Sequence, residues 1–379
     1  MKILTVVGAR PQFIKAAPVS RALRRAHSEV LVHTGQHYDD TMSALFFRDL
    51  EIPAPEVNLQ VGSGRHGAQT AEMIHRLEPV IEEHQPDGIL VYGDTNSTLA
   101  AAVVACKAAY ADGHRPWLAH VEAGLRSFNP NMPEERNRVV ADHLSDLLLA
   151  PTPAAMQNLE REGLAERAEL VGDVMVDAFE WAIPRAFDRL PPTAREHPGY
   201  VLVTMHRAEN VDHPSRLARW MDSLDLDLPV IFPMHPRTRV ALKRAGARLP
   251  SNVFTIDPVG YLEMVALERE ALAIATDSGG VQKEAYLASV PCITLRTETE
   301  WLETVASGWN RVIGVDPSGV RAALDDRAFM SRTQAHPDLF GDGRAAQRSV
   351  DALARHNDLT AAASTRPAKG AHAQQAAAR

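Results

Sequence analysis

Residues 272–285 read Leu-Ala-Ile-Ala-Thr-Asp-Ser-Gly-Gly-Val-Gln-Lys-Glu-Ala. A short apolar run that suits a strand ends in polar residues. Two glycines then allow close backbone approach, and a helical pattern starts near Gly280 with Val281, Glu284, Ala285 and Ala288. The free N–H groups at such a helix start carry partial positive charge and attract anions. A phosphate or diphosphate therefore belongs at Ser278, Gly279 and Gly280, and Glu284 is placed to accept hydrogen bonds from a ribose diol. The alternative is plain helix-start chemistry, with Ser278 as a cap and Glu284 as an acid favoured by the helix dipole.

The same unit recurs along the chain. Strand candidates are Lys2–Val7, Val30–His33, Gly88–Tyr92, Trp117–Val121, Leu147–Ala150, Tyr200–Thr204, Val230–Phe232, Val253–Ile256, Leu272–Ala275 and Pro291–Leu295. Helical stretches such as Phe13–Arg25, Ala68–His84, Thr98–Ala111 and Arg216–Leu224 lie between them. This alternation predicts βαβ units, hence an α/β fold with parallel sheets. Ten strands are too many for one ordinary doubly wound domain. The segment Phe179–Pro198 has four prolines and no strand pattern, and it marks the boundary. The expectation is two Rossmann-like domains facing across a cleft, residues 1–178 and 179–359, followed by a tail at 360–379 without apolar periodicity.

Composition excludes several classes. The chain has 379 residues, 45% of them hydrophobic, and a formal net charge of -8. That charge argues against a nucleic-acid-binding surface, and no apolar run approaches the roughly 20 residues that span a bilayer. Met1–Val7 reads as a strand and not as a signal peptide, so a cytoplasmic location is expected. The two cysteines, Cys106 and Cys292, are too few for a disulfide framework or a zinc site and are expected to be buried free thiols. No His or Cys spacing suggests a metal.

In open α/β sheets ligands bind at the carboxyl ends of strands, and nearly every strand candidate here runs into a polar or glycine-containing cluster. Arg10 and Lys15 follow the first, Thr34-Gly35-Gln36-His37 the second, Gly93-Asp94 the third and Glu122-Ala123-Gly124 the fourth. In the second half come His206-Arg207, His235 and Asp277–Gly280. The first turn, Gly8-Ala9-Arg10-Pro11, lacks the glycines of a dinucleotide fingerprint. Asp94 and Glu122 stand in apolar surroundings unusual for surface acids. Glu134 opens Pro133-Glu134-Glu135-Arg136-Asn137-Arg138, where acids also suit a helix start. Carboxylates converging on one cleft would shift one another's pKa and supply a base and an acid, with His206 and His235 as donors to a phosphate or as an acid for a leaving group.

Together these segments resemble the non-hydrolysing UDP-N-acetylglucosamine 2-epimerases. The residues that carry the likeness are GARPQFIK (8–15), TGQH (34–37), YGDTNST (92–98), HVEAGLRS (120–127), PEERNR (133–138), VGDVMVDA (171–178), TMHRAEN (204–210), PMHPRT (233–238) and DSGGVQKEA (277–285). GQHYDDTM (35–42), HVEAGLRSFN (120–129) and RTETEWLETVASGWN (296–310) look closer to a sub-branch acting on UDP-2,3-diacetamidoglucuronate. The resemblance implies a glycosyltransferase-B architecture, a UDP-sugar substrate, no redox cofactor and a homodimer. It also implies loss of the C2 proton with anti elimination of UDP, then re-addition to give the C2 epimer. By carry-over Arg10, His206, Ser278, Gly279, Gly280 and Glu284 hold UDP, while Lys15, Asp94, Glu122, Glu134 and Arg138 surround the sugar. Two departures stand out. Where many members carry an Arg-Pro pair, Glu300 is followed by Trp301-Leu302, so one phosphate-facing cation is expected to be either missing or replaced, with Arg296 as the candidate substitute. In the family's regulatory motif an Arg precedes Gln-Thr, but here Ala68 precedes Gln69-Thr70, and Met42 lies further from Gln36-His37. A glycosyltransferase of the same architecture, a hydrolysing epimerase and a nucleotide-sugar sensor are the competing functions.

Overall fold

The computed structural model describes residues 1–36 and 46–364. Two parallel sheets carry the chain. The first has seven strands: β1 (Lys2–Val7), β2 (Ser28–His33), β3 (Val57–Asn58), β4 (Gly88–Tyr92), β5 (Trp117–Val121), β6 (Leu147–Ala150) and β7 (Ala168–Leu170). Its order is β3-β2-β1-β4-β5-β6-β7. The second has six: β8 (Val201–Thr204), β9 (Val230–Pro233), β10 (Val253–Ile256), β11 (Ala273–Thr276), β12 (Cys292–Thr294) and β13 (Asn310–Val312), in the order β10-β9-β8-β11-β12-β13. All ten expected strands are present. The three unexpected ones, β3, β7 and β13, have only two or three residues and sit at sheet edges, too short to show periodicity.

The strand order of each sheet reverses once, between β1 and β4 in the first and between β8 and β11 in the second. At such a switch point the flanking connections leave on opposite faces and open a crevice beyond the strand ends. The turns after β1 and β4 carry Arg10 and Asp94, and those after β8 and β11 carry His206 and Ser278. Both crevices therefore contribute to one cleft.

Some boundaries differ from expectation. The helix Asn96–Ala105 stops before the expected Ala111, and further on Tyr110 N–H turns back to His114 O at 2.8 Å around Asp112-Gly113. The 178/179 division falls inside the helix Val174–Ala186, which packs on the helices Arg10–Leu23, Tyr261–Glu270 and Ala345–Ser364. By sequence order the last of these falls in the second domain. Its apolar stripe (Ala345, Ala346, Val350, Leu353) instead joins the core formed by Phe13, Ala17 and Phe179. It also continues to Ser364, into the segment expected as a tail. The remaining tail, 365–379, and His37 and Met42 of the regulatory motif lie outside the described residues. Both cysteines are free, but only Cys292 is buried. Cys106 is exposed, because it follows the last residue of its helix on the solvent side.

Candidate active site

The floor of the cleft is built by the first sheet. Gln12, in the first turn of Arg10–Leu23, accepts from the N–H groups of Gly8 and Ala9 at 2.8 and 3.1 Å and donates to Tyr92 O at 2.9 Å. This single side chain ties the turn after β1 to the end of β4. Gly8 is required by packing, since a Cβ there would fall 2.1 Å from the hydroxyls of both Ser97 and Thr34.

On that floor Lys15 pairs with Glu122, and Arg138 with Asp94. Burial works against the Lys15 charge, but Glu122 and Asp94 outweigh it and hold its pKa above the ordinary lysine value. Burial likewise opposes the charge on Arg138, and Asp94, Glu300 and Glu135 more than compensate. Glu122 reaches Lys15 from a left-handed backbone with φ 72°, unusual for a residue with a side chain.

The helix Pro133–Leu144 inverts normal amphipathicity. Its buried face bears Glu135, Asn137, Arg138 and Asp142, a polar stripe turned toward the sheet ends. Asn137 donates to Asp94 O at 2.9 Å. Glu135 accepts from Ser127 N, Ser127 Oγ and Phe128 N, each at 2.9 Å, and so pins the 127–128 loop. Glu134 is half-buried on the same turn and is not part of the Lys15–Glu122 and Asp94–Arg138 pairs.

The second sheet supplies the opposite wall. Asp277, fully buried, accepts from His206 N, Arg207 N and Asn210 Nδ2 at 3.0–3.1 Å, fastening the turn after β8 to the end of β11. It holds the His206 ring with Nδ1 at 3.3 Å. The ring stays open to the cleft, with 38% of the side chain exposed. Desolvation, followed by the charges of Arg207, Arg10 and Arg237, outweighs Asp277 and lowers the His206 pKa. His235 caps the helix Pro236–Ala245, accepting from Arg237 N at 3.2 Å, and its ring lies 5.6 Å from that of His206.

Ser278 starts the helix Gly279–Leu287 without a side-chain cap bond, its N–H donating instead to Thr276 Oγ1 at 2.9 Å. A Cβ on Gly279 would meet nothing closer than Glu300 Oε2 at 3.7 Å, and one on Gly280 only Ser278 Oγ at 3.9 Å. Protein packing thus makes no demand for glycine here, in contrast to Gly8. The backbone at this helix start is open to an approaching anion. Glu284 is buried on the same helix, with Oε1 lacking a partner, and burial pushes its pKa up to about 7.

The two walls meet. Asn129 donates to Glu298 at 2.9 Å across the cleft, and Lys15 and Arg10 on one side act electrostatically on Glu284 and His206 on the other. Among the described residues no group of three or more His, Cys, Asp or Glu is arranged to hold a metal ion, and no helix is long and apolar enough to cross a membrane.

Residues 21–354 match the family described as UDP-N-acetylglucosamine 2-epimerase. The chain belongs to that family. It is 45% identical over 362 residues to a UDP-N-acetylglucosamine 2-epimerase homolog of Methanococcus maripaludis, covering 93% of this chain and 99% of the relative. It is also 45% identical over 365 residues to the UDP-2,3-diacetamido-2,3-dideoxy-D-glucuronate 2-epimerase of Pseudomonas aeruginosa, covering 94% and 100%. Among solved structures, the Methanocaldococcus jannaschii UDP-GlcNAc 2-epimerase in complex with UDP-GlcNAc and UDP superposes with a TM-score of 0.85 at 40% identity, covering 94% of this chain and all of that one.

Arg296 does not stand as a free cation. Glu300 engages both its terminal nitrogens at 3.0 Å, and the pair lies beside Gly279. The sequence reading also missed a buried anchor beneath the floor. Asp142 accepts from Arg126 Nη1 at 2.7 Å and Gly124 N at 3.0 Å and meets His120 Nδ1 at 2.7 Å, while His120 Nε2 reaches Gly93 O at 2.7 Å. The signal was present in Val139-Val140-Ala141-Asp142, an acid one helical turn after Arg138 on its buried face.

Proposed function

We propose that the chain is a non-hydrolysing epimerase that inverts C2 of a UDP-N-acetylhexosamine, converting UDP-GlcNAc to UDP-ManNAc and back. The observation that carries this reading is the meeting of Lys15–Glu122 and Asp94–Arg138 in the cleft that faces the open helix start at Ser278–Gly280. The two sheets act as two domains that close on the substrate. UDP lies with its diphosphate on Ser278, Gly279 and Gly280, its ribose on Glu284, and Arg10, His206 and His235 toward the phosphates. The sugar sits over Lys15, Asp94, Glu122, Glu134 and Arg138.

A carboxylate of this set takes the C2 proton, the electron pair forms the C1–C2 double bond, and the C1–O bond to UDP breaks. UDP stays bound at the helix start. It then re-adds at C1 while a second acid returns a proton to the other face of C2. The charges needed are supplied by side chains, with no redox step. Arg296, held by Glu300, serves as a fixed dipole beside Gly279 and not as a direct phosphate ligand. The enzyme works in the cytoplasm as a homodimer. A UDP-2,3-diacetamidoglucuronate substrate is the second reading, favoured by the equal identity to the Pseudomonas enzyme over that enzyme's full length. Offering each UDP-sugar alone and following C2 by NMR tests both. A UDP-linked pair of epimers supports the proposal, free sugar indicates a hydrolysing enzyme, and no reaction with either contradicts it.

A further inference from the structure

Behind Glu284 lies a second buried acid. Glu268, in the helix Tyr261–Glu270, is completely shielded from solvent, and its helix packs against Gly279–Leu287, which bears Glu284. Neither Glu268 oxygen meets a hydrogen-bonding partner, nor does Glu284 Oε1, and the buried Tyr261 hydroxyl beside them lacks one too. Two carboxylates cannot donate to each other, and two such groups side by side away from water hold at least one proton between them. Burial, then the neighbouring Glu284, pushes Glu268 well above the ordinary carboxylate range. Burial raises Glu284 only to about 7, because Glu268, Lys283 and Lys15 pull it back. Glu268 is the deeper of the two, and Lys283 and Lys15 favour the charge on Glu284, so the proton resides on Glu268.

We propose that Glu268 is a positioning residue for the nucleotide, its carboxyl O–H donating to Glu284 Oε1 and leaving Glu284 an ionised acceptor for the ribose diol. The inference rests on reading Glu284 as the ribose ligand. The other groups facing the pair are Lys283 and Lys15 toward Glu284, Tyr261 against both acids, and Tyr200 and Cys292 toward Glu268. Lys283 is committed to Asp173 and does not pair with Glu268. A neutral donor is thus what keeps the charge on Glu284. Removing it raises the Glu284 pKa, so a larger neutral fraction meets the ribose near neutral pH. The loss disappears once the pH exceeds the new pKa.

The test is UDP affinity by calorimetry, from roughly pH 5.5 to 9 so as to bracket the raised carboxyl, for wild type, Glu268→Gln, Glu268→Leu and Glu284→Ala. Gln keeps an N–H donor, and Leu keeps an apolar filling without one. Near neutral pH Glu268→Gln binds within about twofold of wild type and Glu268→Leu about tenfold more weakly, the scale of one hydrogen bond to a charged group. The midpoint of the Glu268→Leu pH profile moves upward, and its affinity recovers at the alkaline end. A purely structural role would weaken binding without moving that midpoint. An unmoved midpoint in Glu268→Leu, or Glu268→Gln as weak as Glu268→Leu, overturns the positioning role. Wild-type UDP affinity in Glu284→Ala overturns the ribose reading itself. Weak binding in Glu284→Ala alongside unaffected Glu268 variants defeats only the positioning role.

Discussion

Lys15 Nζ contacts the Glu122 carboxylate, and Glu122 adopts a φ of 72° to make that contact. One residue leaves the first helix and the other follows the fifth strand, and Gly93 lies against both. A left-handed non-glycine residue persists only where its surroundings enforce it, and such residues cluster at functional sites. Glu122→Gln and Asp94→Asn are expected to lower turnover on the order of 10²–10⁴-fold, the scale of a positioned acid or base, with UDP affinity little changed. Glu134→Gln should do the same despite its place outside the ion pairs. Single-turnover rates with calorimetry of UDP check this. Wild-type turnover in all three would mean that the acids serve the fold alone.

The two helix-start glycines give a sharper separation of stability from binding. Since a Cβ at Gly280 meets only ordinary contacts, Gly280→Ala should leave the stability unchanged or raise it slightly, by about 0.5–1 kcal/mol of helix propensity. UDP affinity should nevertheless fall at least about tenfold, because the added methyl blocks the approach of the diphosphate to the backbone. Thermal melts and UDP titration on the same sample decide it. A Gly280→Ala protein that binds UDP normally would place the diphosphate elsewhere.

Asp277 predicts the opposite pattern. It accepts from two backbone N–H groups and one side-chain amide while fully buried. Asp277→Asn should cost about 1–3 kcal/mol of stability, the penalty of leaving buried groups unpaired. It should also release the turn that holds His206, so UDP binding weakens as well. Urea unfolding of the free protein measures the first effect. No loss of stability would show that the turn is held by other contacts.

Gln69 turns inward, donating to Gly62 O at 2.7 Å and accepting from Asn96 at 2.8 Å, while Ala68 is exposed and offers no charge. A second UDP-sugar at this place would lack a charge-assisted pair worth about 1.5–3 kcal/mol. Kinetics starting from the epimerised UDP-sugar alone should therefore be hyperbolic. A long lag abolished by trace UDP-GlcNAc would restore a regulatory site.

Where polar residues directly follow a strand, the sequence was informative. Arg10, Asp94, His206 and Ser278 stand at strand ends on the two switch points, and Glu122 at the end of the neighbouring β5, because βαβ alternation determines both the sheet and the side on which its loops gather. What it hid is long-range pairing. Nothing local in Arg138 announces Asp94 as its partner, and nothing in Glu268 announces a second acid from the next helix. The apolar stripe of Ala345–Ser364 is visible as a helix, but whether it covers the first or the second sheet depends on which groove is left open. Edge strands of two or three residues carry no period to read.

The most direct measurement is one incubation. Wild-type protein is given UDP-GlcNAc alone in deuterated water, and the C1 and C2 signals are followed by NMR. A mixture of two UDP-linked C2 epimers is expected, with deuterium entering at C2 and no free sugar. Accumulation of free hexosamine with UDP, or epimers that keep the original C2 proton, would contradict it.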